Sequence, residues 1–317
     1  MWMDNEFLQG EIKLVEEQLK KALKTRNKSV QEALNKLQQS GGKRLRPVLT
    51  ILGATFGEYN SKNTVALAAS LEVIHMATLI HDDIIDDTKL RRGAATLHTM
   101  LGKDVAVYTG DFLLSRAFML VADVVDNQLM KEIARGMAYI CDGEIDQNEQ
   151  RYFKGTTNKQ YLKRIGGKTA ALFALSLAAG GEKAGCSKKV VNKLGIIGRD
   201  IGMAFQIMDD VLDFTAQESR IGKPAFNDVI QGVYTLPLIY ALNSKYKAEA
   251  EAALDNMDQD GGESLRLVIE KAEGIEKSKK IAMRYVDKAR SKTLELPDAL
   301  GKDLILEIID QQLNRKF

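Results

Sequence analysis

Cysteine, proline, histidine and tryptophan are all scarce in this sequence of 317 residues. The two cysteines, Cys141 and Cys186, lie far apart and lack the close spacing of a metal-binding pair. Two cysteines in a chain of this length are typical of a reducing compartment, so we expect a cytoplasmic protein without disulfides. The three histidines form no metal-binding pattern with one another.

With only four prolines, the chain has few residues that break helices. Hydrophobic residues make up 45% of the sequence, enough for a sizeable core, and strong helix formers are abundant. No stretch alternates polar and apolar residues as a half-buried strand would. We therefore expect an all-α fold in which residues 1–317 form a single domain.

The net charge and the hydropathy of the sequence argue against three further classes of protein. The net charge of +2 gives no reason to expect nucleic-acid binding. No run of about 18 apolar residues suggests a membrane span. The segment Met1–Glu6 is acidic rather than apolar, so we expect no signal peptide.

The most informative stretch runs from Leu71 to Asp87, and it begins apolar and ends in four carboxylates. No glycine or proline interrupts it, which predicts a buried helix. Asp82 and Asp86 are four residues apart and project from one face, with His75 on nearly the same face. Because like charges at this spacing repel, we expect a cation between them. Short oxygen ligands on a rigid helix suit Mg²⁺.

A second stretch, from Ala204 to Asp213, is again apolar first and acidic last. Asp209 and Asp213 share a helical face, and Gln206 lies one turn before Asp209. One such run is also compatible with the solvated end of a helix. Two such runs, each closing an apolar helix, favour a functional role instead.

Cations lie on both sides of the first acidic motif. The segment Gly41–Pro47 places three cations behind two glycines, which let the backbone approach a ligand, and arginine can bind phosphate through two bonds. Taken alone, it is equally an ordinary basic loop. Arg91 and Arg92 follow Asp86 within six residues. They either pair with the aspartates or hold phosphate next to a metal ion.

The segment Gly166–Ala170 also contains a basic residue behind two glycines. It lacks the spacing of a nucleotide-binding phosphate loop, and no strand precedes it. The alternative is that a single lysine, Lys168, reaches into a site.

Together these features suit a ligand with a diphosphate head and a hydrocarbon tail. Both acidic motifs would hold Mg²⁺ against the diphosphate, and the basic residues would neutralise the remaining charge. The apolar parts of the two helices would form the wall of a hydrophobic pocket. Departure of diphosphate from an allylic carbon leaves a carbocation, which a dry apolar pocket shelters from water.

In these motifs and in their order, the sequence resembles the trans (E)-isoprenyl diphosphate synthases. The resemblance is clear from Gly41 to about Leu242, and it extends to the segments Gly222–Pro224 and Thr235–Pro237. It implies an all-helical bundle around a deep apolar cavity, usually a dimer. It also implies head-to-tail condensation of isopentenyl diphosphate with an allylic diphosphate, giving a trans polyprenyl diphosphate.

The resemblance assigns roles to individual residues and implies two or three Mg²⁺ ions. The metal ligands are Asp82, Asp86, Asp209 and Asp213. The catalytic set is Asp82, Asp83, Asp86, Lys168, Gln206, Asp209, Asp210 and Asp213. The isopentenyl diphosphate site is Lys43, Arg46, His75 and Arg92. The allylic diphosphate contacts are Arg91, Lys168, Thr169, Gln206 and Lys223. No side-chain nucleophile is implied, because the departing diphosphate itself removes the final proton.

One position departs from the family pattern. Many members carry a second lysine just before the Thr-Leu-Pro segment, where this sequence has Val233 and Tyr234. Either the allylic diphosphate has one contact fewer, or the hydroxyl of Tyr234 partly replaces the lysine.

Product length is expected to depend on the residues one turn before Asp82. Short-chain members place aromatic rings there, whereas this sequence has the small residues Ala77 and Thr78. Small side chains leave a tunnel open, which favours a medium- or long-chain product near heptaprenyl length. Geranylgeranyl diphosphate is the alternative product.

Two other classes share part of this pattern. Terpene cyclases resemble the first motif but normally lack the basic block and the second aspartate run. Non-catalytic partner subunits usually lose the aspartates of the two acidic motifs, whereas this sequence keeps all six. We expect a homodimer, with a small regulatory subunit as a further option because some heptaprenyl synthases are heteromeric. A prenyl product would also draw the enzyme towards a membrane surface.

Overall fold

The computed structural model describes residues 2–39, 42–91, 93–215, 226–257 and 262–313. Helices form nearly all of the regular structure in these ranges, so the expectation of an all-α fold is confirmed. In chain order they are α1 (Glu6–Ala22), α2 (Lys28–Gln39), α3 (Leu45–Ala54), α4 (Ser61–Ile85), α5 (Leu97–Leu101), α6 (Lys103–Ala122), α7 (Asn127–Glu149), α8 (Asn158–Ile165), α9 (Ala171–Lys183), α10 (Lys188–Thr215), α11 (Asn227–Ile230), α12 (Leu236–Leu242), α13 (Lys247–Asp255), α14 (Glu263–Lys271), α15 (Gly274–Leu294) and α16 (Leu300–Leu313).

Three short elements complete the described structure. A 3₁₀ turn covers Trp2–Asp4, and a π-helical turn covers Gly166–Ala170 between α8 and α9. Strands β1 (Leu90–Arg91) and β2 (Ala94–Ala95) form a small antiparallel hairpin just after α4, with Leu90 opposite Ala95. The sequence pattern predicted neither the hairpin nor the π-helical turn, because both are too short to show a hydrophobic period.

The chain divides into two compact units. Unit 1 comprises residues 1–135, 173–198 and 292–308, and unit 2 comprises residues 136–172, 199–291 and 309–317. The first acidic motif and the basic segment after α2 belong to unit 1. The second acidic motif and the π-helical turn belong to unit 2.

Helix α4 is the centre of unit 1. It packs against α1, α3 and α6. Its side chains from Leu67 to Ile74 are all buried, because the helix is apolar on every side and is surrounded by other helices. The side chain of Asn60 caps its first turn by accepting the backbone N–H of Asn63 at 3.0 Å. This rigid helix fixes the position of the acidic motif in its last turn.

Unit 2 is built around one apolar core. Residues from α8, α10 and α12–α15 contribute to it, including Tyr161, Ile207 and Leu238. Helix α8 begins with a capping box, in which Thr157 and Gln160 each bind the other's backbone N–H. The core holds the end of α10, and therefore the second acidic motif, against α8.

Two helices, α4 and α6, are long and apolar enough to cross a membrane by length and composition. The apolar window of α4 is 72% buried, which is typical of the core helix of a folded domain. The corresponding window of α6 is only 33% buried. Helix α6 therefore carries an exposed apolar face, which includes Val105, Tyr108 and Met119.

Candidate functional site

The first acidic motif occupies the last turn of α4 and the residues just after it. Asp83 is only 5% exposed, and its carboxylate accepts two hydrogen bonds from Arg91, from Nε at 2.8 Å and from Nη2 at 2.7 Å. Strand β1 presents Arg91 to this carboxylate. Asp82 and Asp86 are half-buried. The motif thus has one carboxylate held inside the fold and two that are more accessible.

Helix α6 approaches the first motif through His81. The His81 Nε2 atom lies 3.4 Å from a carboxylate oxygen of Asp111 and 3.5 Å from the carbonyl oxygen of Val107. This close approach requires a glycine at position 110, because a Cβ added there would lie 2.2 Å from His81 Nε2. No pattern in the sequence indicates a role for Asp111, and the structure places its carboxylate next to His81.

The second acidic motif repeats the arrangement at the end of α10. Asp210 is 3% exposed, and its two carboxylate oxygens accept hydrogen bonds from the Tyr161 hydroxyl at 2.6 Å and from Gln206 Nε2 at 2.7 Å. Asp209 is exposed and Asp213 is half-buried. Again, the second aspartate of the motif is the inner one.

Burial changes the proton affinity of Asp210. It raises the pKa of this carboxyl to about 8, and the nearby negative charge of Asp228 acts in the same direction. The hydrogen bonds from Tyr161 and Gln206 oppose the shift. The same burial raises the pKa of the Tyr161 hydroxyl, which therefore remains a hydrogen-bond donor at neutral pH.

The π-helical turn lies next to Gln206. Thr169 donates a hydrogen bond of 2.7 Å from its hydroxyl to Gln206 Oε1, so the turn and the second motif share one network. The ammonium group of Lys168 forms an ion pair of 2.9 Å with Glu144 on α7. Single π-helical turns of this kind are frequent at functional sites, because they redirect a few side chains within a helix.

Two glycines allow α7 to pack directly on this turn. A Cβ at Gly143 would lie 2.7 Å from the backbone nitrogen of Lys168, and one at Gly167 would lie 3.0 Å from the carbonyl oxygen of Tyr139. Of the two glycines before Lys168, Gly167 therefore serves close helix packing, and the segment is a π-helical turn.

The basic block precedes and begins α3. Lys43 is exposed, and Arg46 is half-buried with its guanidinium carbon 4.9 Å from the centre of the Phe173 ring. Arg44, in contrast, is inside the fold and is paired with Glu16 and Glu72. The three cations of the block thus differ in their exposure and in their partners, which the sequence pattern does not predict.

The remaining predicted residues fall into three groups. Arg92 and Lys223 lie outside the described residues. His75 and Thr78 are half-buried, and the Thr78 hydroxyl donates to the His75 carbonyl oxygen at 2.8 Å. Ala77 is completely buried.

A buried arginine, Arg164, lies beside Tyr234, in the segment just before the Thr-Leu-Pro sequence. Arg164 is only 2% exposed, and its Nη2 donates a hydrogen bond of 2.7 Å to the carbonyl oxygen of Tyr234. Burial lowers the pKa of Arg164, and the negative charge of Asp210 opposes that shift. Arg164 and its neighbour Tyr161 are not predictable as site residues from the sequence, because a polar residue in an amphipathic helix carries no signal of a partner elsewhere in the chain.

The donor chemistry of both motifs suits Mg²⁺, which prefers oxygen ligands and retains several waters. In each motif the two aspartates other than the buried one are four residues apart at the C-terminal end of a helix, and they are half-buried or exposed. Within the described part of the chain, no group of three or more His, Cys, Asp or Glu side chains is placed to hold a metal ion.

Each compact unit therefore carries one acidic motif at the C-terminal end of a long helix, and each motif has one aspartate held inside the fold.

Comparison with known proteins gives the family. Residues 27–271 match the family described as Polyprenyl synthetase, so the chain belongs to that family. It is 39% identical over 285 residues to "Heptaprenyl diphosphate synthase component 2" of Geobacillus stearothermophilus, covering 89% of each chain. It is 35% identical to the protein of the same name in Bacillus subtilis, covering 98% of this chain and 90% of the relative.

Solved structures agree with this assignment. Heptaprenyl diphosphate synthase from Staphylococcus aureus superimposes with a TM-score of 0.91 at 36% identity, covering 97% of this chain and 98% of the other. Geranylgeranyl pyrophosphate synthase from Lactobacillus brevis gives a TM-score of 0.92 at 31% identity and covers 99% of both chains. The expectation of a prenyltransferase that makes polyprenyl diphosphates is therefore confirmed, and the relatives favour the medium- to long-chain type.

Proposed function

We propose that this protein condenses isopentenyl diphosphate head-to-tail with an allylic diphosphate in a Mg²⁺-dependent reaction. The arrangement shared by the two acidic motifs carries the proposal. In each, the second aspartate is fixed inside the fold by hydrogen bonds, to Arg91 in one motif and to Tyr161 and Gln206 in the other. The outer aspartates are more accessible and share a helical face.

The outer aspartates are the proposed metal ligands, and two or three Mg²⁺ ions are involved. They are Asp82, Asp86, Asp209 and Asp213. When bound, Mg²⁺ neutralises the diphosphate and stabilises its departure. The inner aspartates, Asp83 and Asp210, orient the groups around the ligands. Asp83 orients the guanidinium of Arg91, and Asp210 orients Gln206.

The substrate contacts are divided between two sets of residues. We assign isopentenyl diphosphate to Lys43, Arg46, His75 and Arg92. We assign the allylic diphosphate to Arg91, Lys168, Thr169, Gln206 and Lys223. Support comes from the cations in both sets and from the hydrogen bond between Thr169 and Gln206, which joins two of the residues assigned to the allylic diphosphate.

The reaction needs no nucleophile from the protein. The bond between the allylic carbon and its diphosphate breaks, and the diphosphate leaves with the electron pair. The double bond of isopentenyl diphosphate then attacks the allylic cation and forms the new carbon–carbon bond. The departing diphosphate then takes a proton from the condensed product. This restores a double bond, and the lengthened chain, which keeps the diphosphate of isopentenyl diphosphate, is the allylic diphosphate for the next cycle. The apolar residues of the pocket exclude water from the cation.

The proposed product is near heptaprenyl length. The "Heptaprenyl diphosphate synthase component 2" relatives and the Staphylococcus aureus structure support this length, as do the small residues Ala77 and Thr78 before the first motif. A geranylgeranyl product is the second candidate, favoured by the similar structure of the Lactobacillus brevis enzyme.

We propose that residues 1–317 act as one catalytic domain, because the family match spans residues of both compact units. The proposed assembly is a homodimer, and the exposed apolar face of α6 supports self-association. The words "component 2" in the names of two relatives support a second, small regulatory subunit. We place the enzyme in the cytoplasm, with its prenyl product drawing it towards the membrane surface.

Substitution of the outer aspartates tests the proposal. Asp82→Ala and Asp209→Ala should each reduce turnover by orders of magnitude, because loss of metal-held charge stabilisation costs several kcal/mol. Asp123→Ala, at an exposed position after α6, is the matched control and should retain activity. Circular dichroism would establish that all three variants remain helical. Near-normal turnover by folded Asp82→Ala or Asp209→Ala in Mg²⁺ would refute the metal assignment.

A further inference from the structure

Arg44 is the second cation of the basic block, and all three of its side-chain nitrogens have acceptors within the protein. Nε donates to Glu16 Oε1 at 2.5 Å, and Nη1 donates to Glu72 Oε1 at 3.0 Å. Nη2 donates to the carbonyl oxygen of Gln38 at 3.1 Å. The side chain is only 11% exposed. Arg44 is therefore committed to the fold, unlike the exposed Lys43 beside it.

The backbone of Arg44 is also unusual. It has φ +46° and ψ +39°, in the left-handed region that a non-glycine residue occupies at a cost of roughly 1–2 kcal/mol. Its carbonyl oxygen accepts the N–H of Val48 at 3.0 Å, which is the first hydrogen bond of α3. The turn at Arg44 therefore separates Lys43, outside the helix, from Arg46, within its first turn. The side-chain bonds of Arg44 hold this strained turn in place.

The ion pair between Arg44 and Glu72 connects this turn to α4, the helix that carries His75. Glu72 is 5% exposed and lies three residues, nearly one helical turn, before His75. A buried carboxylate and a guanidinium this close form a directional bond that fixes the position of one element relative to the other. Arg44 thus joins the basic block to the part of α4 that carries His75.

We propose that Arg44 is a positioning residue: its ion pairs with Glu72 and Glu16 set Lys43 and Arg46 in register with His75. This inference rests on the proposed function, in which those three residues bind isopentenyl diphosphate. Arg44 is not assigned to the substrate, because each of its three side-chain nitrogens already donates to Glu16, Glu72 or Gln38. Its loss should therefore affect one substrate and not the other.

A purely structural ion pair would behave differently. Removal of one partner leaves a buried charge uncompensated and destabilises the fold, whatever the pair does for the substrate. Two variants avoid this ambiguity. Arg44→Lys keeps the positive charge but loses the two-pronged geometry of the guanidinium. The double variant Arg44→Gln/Glu72→Gln removes the two buried charges together. Glu16 loses its partner in this variant, but its side chain is 35% exposed and can be solvated by water.

The experiment measures the KM for each substrate separately, together with kcat and the melting temperature. In both variants we expect the KM for isopentenyl diphosphate to rise about tenfold or more, because misplacement by about 1 Å can cost up to about 100-fold. The KM for the allylic diphosphate should stay close to that of the unmodified protein. Arg135→Gln, which removes an exposed arginine paired with Glu132, is the control and should change neither KM.

A selective rise in the KM for isopentenyl diphosphate supports the positioning role. Unchanged KM values, or an equal rise for both substrates, overturn it, even if the melting temperature falls. If the double variant does not fold, Arg44→Lys decides the question by the same comparison. Failure of the proposed function is distinguishable, because the unmodified protein would then show no condensation at all.

Discussion

The Tyr161 hydroxyl donates a hydrogen bond of 2.6 Å to the carboxylate of Asp210, and neither residue is more than 3% exposed. This bond ties α8 to the second acidic motif on α10. The other oxygen of Asp210 accepts from Gln206, whose own side-chain oxygen accepts from Thr169. One buried carboxylate therefore fixes the orientation of two predicted substrate contacts.

Removal of the Tyr161 hydroxyl should disturb this network. We expect Tyr161→Phe to lower the free energy of unfolding by about 1–3 kcal/mol, because a buried carboxyl oxygen loses its donor. The KM for the allylic diphosphate should rise as Gln206 and Thr169 lose their fixed positions. Chemical denaturation and steady-state kinetics measure the two effects.

Tyr152→Phe is the matched control for this variant. The Tyr152 hydroxyl is exposed and donates only a long bond of 3.3 Å to the carbonyl oxygen of Ile230. Its removal should change stability by no more than about 0.5 kcal/mol. Equal effects of the two substitutions would show that the Tyr161–Asp210 bond has no special role.

The close packing of α7 on the π-helical turn gives a second prediction. In Gly143→Ala the added methyl group would lie 2.7 Å from the backbone nitrogen of Lys168, so the turn must move. We expect a loss of about 1–3 kcal/mol of stability and a higher KM for the allylic diphosphate. Gly10→Ala, where nothing lies within 4 Å of the added atom, should instead gain about 0.5–1 kcal/mol. A Gly143→Ala protein with unchanged kinetics would contradict the role given to this turn.

The division of substrate contacts predicts two kinetic patterns. Lys43→Ala and Arg46→Ala should mainly raise the KM for isopentenyl diphosphate. Lys168→Ala and Lys223→Ala should mainly raise the KM for the allylic diphosphate. The physical reason is that each cation neutralises the phosphates of one substrate only. Steady-state rates with each substrate varied in turn measure both values.

Exposed lysines serve as controls for these four variants. Lys36 on α2 and Lys159 on α8 are exposed, and Lys36→Ala and Lys159→Ala should leave both KM values unchanged. The proposed division is wrong if all four test variants weaken both substrates to the same extent.

Product length should respond to the residues before the first motif. Ala77 precedes Asp82 by five residues, which is about 7 Å along a helix. We expect Ala77→Phe to shorten the product towards geranylgeranyl or farnesyl length, because a packed interior does not yield to let a longer chain pass. Thr78→Phe, at a half-buried position, should act in the same way. Chromatography of the dephosphorylated products measures the chain length.

Ala68→Phe separates tunnel blocking from simple overpacking. Ala68 is as fully buried as Ala77 but lies more than two turns earlier on α4. A phenylalanine there should cost about 1–3 kcal/mol of stability without changing the product. If a stable, active Ala77→Phe protein gives an unchanged product distribution, the small residues do not define the tunnel.

The sequence predicted the helices well because their apolar periods are long. The apolar pattern predicts a helix over Ser61–Asp87, and α4 ends at Ile85. It predicts a second long helix over Lys189–Phe214, and α10 spans Lys188–Thr215. The same pattern predicts one helix over the stretch from Asn158 to Ala179. The structure instead interrupts it with the π-helical turn, which leaves the apolar pattern intact and so gives no signal in the sequence.

The candidate site was predictable only in part. Charged residues at fixed spacing identified the two acidic motifs, but the partners that fix them are distant along the chain. Arg44 and Glu72 are 28 residues apart, and Tyr161 and Asp210 are 49 apart. Such pairs follow from tertiary packing, so no local pattern separates Arg44 from the other cations of its block.

The most direct measurement is the product made by the purified protein from isopentenyl diphosphate and an allylic primer, with Mg²⁺ present and after its removal by chelation. We expect a trans prenyl diphosphate near heptaprenyl length that forms only with Mg²⁺. Addition of a small regulatory subunit, if the assembly contains one, should restore this product where the protein alone gives little. A cyclised hydrocarbon, or a polyprenyl product that forms equally well after chelation, would contradict the account.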